Sequence, residues 1–106
     1  MTDHLPDIYR SFRADFPSVA RAHDALSQSV GGSGPIDERT QRLIKLGIAV
    51  GAVSDGAVRS AARKAVEAGA SRAELEQVAL LAVSTRGFPA AIAALGWIAE
   101  VFPPGP

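Results

Sequence analysis

Between Leu43 and Val53 the chain reads LIKLGIAVGAV, apolar on nearly every side of a helix and interrupted only by Lys45. A helix with that profile has to be covered all round, at the centre of a larger core or at a subunit interface. A chain of 106 residues has little else to surround it with, which argues for self-association. Gly47 and Gly51 lie one turn apart, so a second helix can approach closely there. The run is too short to span a bilayer and carries a lysine. Within the wider stretch Ile36–Ser71, the sequence predicts two helices joined by a corner at Ser54-Asp55-Gly56.

The length fits one domain, residues 1–106, with a single modest core. Formal net charge is zero, so no electrostatic argument favours nucleic acid or an anionic membrane. There is no cysteine, which removes disulfides, thiolate metal sites and every thiol-based mechanism. A small domain without disulfides fits the cytoplasm. The opening MTDHLPDIYR has no basic-then-apolar signal pattern.

No segment alternates as a strand does, so the expected fold class is all-α, with five to six helices. Pro6 suits a first helical turn, and Ile8, Tyr9 and Phe12 share a face of a short helix ending near Ala14. Pro17 interrupts it and opens a second helix to about Val30, with Val19, Ala22, Leu26 and Val30 as an apolar stripe. Gly31-Gly32-Ser33-Gly34-Pro35 breaks the chain. Asp37 is the expected N-cap of the next helix, with Glu38 favourable against its positive end. The helix after the corner runs to about Ala68, and Gly69 supplies the left-handed residue that ends it. Ser71 and Glu74 form a capping box for a helix whose buried face is read as Leu75, Val78, Ala79, Ala82 and Val83. Gly87 stops that helix, and Pro89 sits in the first turn of a last one from Ala90 to Val101.

The segment IDERTQRLIKLGIAVGAVSDGAVRSAARKAVEAGASRAELEQVALLAVSTRGFPAAIAAL resembles the carboxymuconolactone decarboxylase and alkylhydroperoxidase-D-like superfamily. The ERTQRLIKL helix opening, the junction from Lys64 to Leu75 and the Gly-Phe-Pro-Ala-Ala at Gly87–Ala91 carry the likeness. The resemblance implies an all-α domain assembling as dimers, trimers or hexamers around a pocket partly shared between protomers. In the peroxidase branch a Cys-x-x-Cys and a histidine four residues later fall at Ser54, Ala57 and Ala61, and an upstream acid falls at Arg42. All four are replaced. Peroxide reduction by that route needs a thiolate and a resolving thiol, so it is excluded. The decarboxylase branch implies a histidine at Ala61 and a second near Ala93, and neither is present.

The remaining polar candidates have two readings each. Asp55 is a base or a helix cap. Arg59 and Arg42 hold a substrate carboxylate through the guanidinium fork, or they form solvated ion pairs. His23, beside the second helix's stripe, moves a proton or is structural. Ser54, Ala61 and Phe88 would line the pocket. Ser54 as a nucleophile needs an adjacent base. Tyr9, Phe12, Phe16 and Trp97 line it or fill core and interface. Lys45 is a desolvated amine or a stem reaching past apolar neighbours to water. Neither a metal constellation nor a cofactor is expected. Two functions remain: acid–base chemistry on a small organic acid or lactone, or a catalytically silent oligomer that binds small molecules or acts as an accessory protein.

Overall fold

The computed structural model describes residues 7–104, so the expectations at His4 and Pro6 and the last two residues lie outside it. Among the described residues the chain is all-α. Six helices follow in order: α1 Asp7–Asp15, α2 Pro17–Gly31, α3 Glu38–Gly51, α4 Asp55–Glu67, α5 Arg72–Leu81 and α6 Phe88–Ala99. None is long and apolar enough to cross a membrane. The backbone falls into two compact units, residues 1–35 and residues 36–106.

In the first unit α1 packs on α2. Pro17 occupies the first turn of α2, where its missing N–H leaves no helix bond unmade. Arg13 forks onto Asp24, its two guanidinium nitrogens donating at 3.1 and 2.5 Å. That pairing holds the Asp24 carboxyl below the usual carboxylate range. The rings of Tyr9, Phe12 and Phe16 tilt against one another at 6.5 and 5.9 Å between centroids. Among the described residues of this unit Ala20 is the buried one, and Val19, Leu26 and Val30 are each more than half exposed.

In the second unit the ends of the helices follow the capping chemistry of the sequence. Asp37 accepts the Thr40 amide at 3.3 Å and starts α3. Ser71 and Glu74 complete both bonds of the capping box, at 3.2 and 2.9 Å. Gly69 and Gly87 hold φ at +98° and +120°, a region that a side chain would strain. Val53 also lies there, at +53°, although it is β-branched.

α3 packs most extensively on α4, and α5 on α6. Arg39 at the start of α3 pairs with Glu74 at the start of α5. At the other end, Arg86 Nε donates to the Gly51 carbonyl at 3.2 Å. The two helices therefore run side by side in the same direction. A Cβ on Gly47 would stand 3.6 Å from Val78 Cγ1, so the glycine permits this close pairing.

The core is unusual in the size of its residues. Leu46, Val50, Val58, Leu75 and Ile98 are fully buried, but most of the cluster is alanine: Ala49, Ala62, Ala65, Ala70, Ala79, Ala82, Ala91 and Ala94. Alanine contributes little transfer energy and lets helix axes come close. One expectation is narrowed and one is corrected. Within one chain α3 is covered on one face only, since Ile44 is 46% and Ile48 67% exposed. Val83 is not on the buried face of α5. The helix ends at Leu81, residues 82–86 turn, and the changed direction leaves Val83 41% exposed.

Candidate functional site

The expected site residues of the second unit sit around the start of α4. Ser54 is its N-cap, in extended conformation, and its side chain makes no capping bond. Asp55 opens the helix. One turn on, Arg59 donates to Asp55 Oδ2 at 3.1 Å, and its other terminal nitrogen donates to Glu100 Oε2 at 3.3 Å. The Gly56 amide and then Arg59 hold the Asp55 carboxyl below the usual range. A carboxylate shifted that way is a weaker base. Glu100 and Asp55 together hold the Arg59 guanidinium above its ordinary value. Arg59 is thus bracketed by two carboxylates, and its charge is already answered.

Arg42 lies on α3 and reaches Glu38 at 3.5 Å, a loose pair on the helix surface. Ala61, at the expected histidine position, packs partly buried against the core cluster. Phe88 opens α6 and is 63% exposed. His23 is exposed on α2, within the other unit. Lys45 is also exposed, as the solvated reading requires. Trp97 packs against the core from a partly buried position. No cluster of three or more residues able to hold a metal ion occurs among the described residues.

A concave site lies instead between α3 and α5. This groove has a volume of about 350 Å³ and is lined by Thr40, Leu43, Ile44, Gly47, Gly51, Val78, Leu81, Ala82 and Thr85. Its size is at the small end of ligand sites. Asp55, Arg59, Arg42, Ser54, Ala61 and Phe88 are all outside the lining. The two threonines carry its side-chain polar atoms. Thr40 Oγ1 donates to Asp37 Oδ1 at 2.6 Å, and Thr85 Oγ1 donates to the Leu81 carbonyl at 3.1 Å. Both hydroxyl protons are committed inside the fold.

The sequence model of the Carboxymuconolactone decarboxylase family matches residues 17–100. The chain belongs to this family. The crystal structure of apo-lpg0406, a carboxymuconolactone decarboxylase family protein from Legionella pneumophila, matches at a TM-score of 0.74 with 27% identity. The match covers 88% of this chain and 86% of that one. No curated protein sequence matches. For a member of the carboxymuconolactone decarboxylase family, the start of α4 is occupied by residues without nucleophilic sulfur or imidazole: Ser54, Ala57 and Ala61.

Sequence reasoning found the Asp55–Arg59 pair from its i, i+4 spacing. It missed Glu100, which is far away in the chain and reaches Arg59 only through the packing of α6 on α4. It also missed the groove. Thr40 lies in the ERTQRLIKL helix opening without being singled out by it, Thr85 carries no motif, and only the side-by-side course of α3 and α5 brings them to one surface.

Proposed function

We propose that this family member is a self-associating protein that binds a small molecule and does no acid–base turnover with its own charged residues. One observation carries the reading: Asp55, Arg59 and Arg42 are engaged in surface ion pairs and lie outside the groove lining. A substrate carboxylate would have to displace Asp55 and Glu100 from Arg59. Asp55, lowered in pKa, is poorly suited to take a proton. Thiol peroxidase chemistry is excluded by the absence of cysteine.

Self-association is supported by the inverted size distribution of the apolar residues. Alanine fills the interior while Ile48, Leu80, Leu81, Phe88 and Ile92 stay about half exposed or more. Covering the exposed half of one such side chain contributes on the order of 1 kcal/mol. A second copy over this face would roof the groove and complete the cover that the α3 sequence calls for. A cytoplasmic setting belongs to the same reading, since a cysteine-free domain draws nothing from an oxidising compartment.

The test pairs light scattering after size exclusion with turnover on a panel of lactones and small organic acids. The expected result is a stable oligomer with no turnover above background. Turnover by the unaltered protein that Asp55→Asn or Arg59→Ala abolishes would overturn the silent reading. A monomer at micromolar concentration would overturn the assembly. Turnover gained by Ala61→His alone fits a scaffold that has lost only its proton-transfer group.

A further inference from the structure

The geometry points to a neutral, largely apolar molecule as the ligand of the α3–α5 groove, with anions, including carboxylates, excluded. This inference deepens the small-molecule reading above and rests on it. Three observations carry it.

The walls are aliphatic: Leu43, Ile44, Val78, Leu81 and Ala82, with Gly47 and Gly51 exposing helix backbone whose amides are used within α3. An anion needs donors or a cation, and the groove supplies neither. Thr40 and Thr85 give their protons to Asp37 and Leu81, so they face a ligand only with oxygen lone pairs. Lone pairs repel a carboxylate and accept from a neutral N–H or O–H. No cation is among the lining residues. Arg86 is outside the lining, and its Nε donates to the Gly51 carbonyl. Burying a charge in such a site costs far more than the apolar contact returns. The complementary ligand is therefore uncharged, mostly hydrocarbon, and carries at most one or two donors.

A matched pair of fluorescent probes tests this on the intact oligomer. N-phenyl-1-naphthylamine is neutral with one N–H. Its 8-sulfonate has the same rings with a negative charge. The neutral probe is expected to saturate with at least tenfold higher affinity than the sulfonate. Gly51→Leu should abolish its binding. Gly51 lines the groove and a Cβ there meets nothing within 4 Å, so the leucine is accepted without a clash, and an unchanged thermal midpoint checks the fold. Thr85→Val should weaken the neutral probe two- to tenfold by removing an acceptor. Equal or tighter binding of the sulfonate overturns the inference, as does neutral-probe binding that Gly51→Leu leaves unchanged. If neither probe binds while light scattering still shows the oligomer, the ligand inference fails and the assembly stands. If Gly51→Leu dissociates the oligomer, a side chain of the second copy occupies the groove, and the ligand inference fails in that way instead.

Discussion

Arg86 Nε donates to the carbonyl oxygen of Gly51 at 3.2 Å, so a residue beyond the end of α5 satisfies the last residue of α3. Helix C-termini leave carbonyls without partners, and a cation there also opposes the negative end of the dipole. Arg86→Ala should lower stability by about 1 kcal/mol, read as a fall in the urea midpoint with an unchanged slope. An unaltered midpoint would show that water replaces the guanidinium without loss.

Val53 holds a left-handed φ of +53° at the turn between α3 and α4. For a β-branched residue that conformation costs about 1–2 kcal/mol, part of which glycine gives back through its freer unfolded chain. Val53→Gly is therefore expected to raise stability by up to about 1 kcal/mol, unlike most substitutions to glycine. A lower thermal midpoint in the variant would show that its side chain earns more by packing than the backbone loses.

The acid limit of stability follows from carboxylates whose pKa lies lower in the fold than in the unfolded chain. Glu74 is lowered by the Ser71 amide first and by Arg39 next, Asp55 by the Gly56 amide first, and Asp37 by Thr40. The sign is that of depressed acids: their contribution is complete above the ordinary carboxylate range and is lost as pH falls through it. The thermal midpoint should be level from pH 7 to about pH 5 and decline below about pH 4.5. Glu74→Gln should make that decline shallower. A midpoint independent of pH down to about pH 3 would count against these bonds.

Ile48 is 67% exposed and makes no part of the intrachain core. Ile48→Glu should therefore leave the helical content of the chain intact while abolishing the proposed self-association, measured by light scattering. Leu46→Ala is the control. Leu46 is fully buried in the same helix, and its loss should cost roughly 2–5 kcal/mol whatever the assembly state. If Ile48→Glu keeps the oligomer, the interface lies elsewhere.

The helix ends were the most legible part of the sequence, because their chemistry is local. Asp37, Gly69, and Ser71 with Glu74 each act within four residues of themselves, whereas Gly87, read as the stop of α5, caps the start of α6 instead. The orientation of α3 was not legible, since a run apolar on all sides gives no period to say which face meets the core. The end of α5 was extended too far for a related reason. Ala82 and Val83 continue the apolar spacing of the helix, but the backbone has already turned. The strain at Val53 had no signal in its side chain, which would normally argue for a strand. Of the candidate site, the Asp55–Arg59 pair was visible and the second carboxylate on Arg59, Glu100, was not. The pairing of α3 with α5 brings Arg39 to Glu74 across 35 positions, and no spacing rule reaches that far.

Glu74 stabilises two structures with one carboxylate: it closes the turn that begins α5, and it receives Arg39 from α3. Starting a helix is the costly step of forming it. Here that step and the long-range registration of two helices share a single side chain. The first turn of α5 and the α3–α5 contact should therefore open as one cooperative unit, giving the amides of Glu74 and its neighbours the same exchange protection as the start of α3.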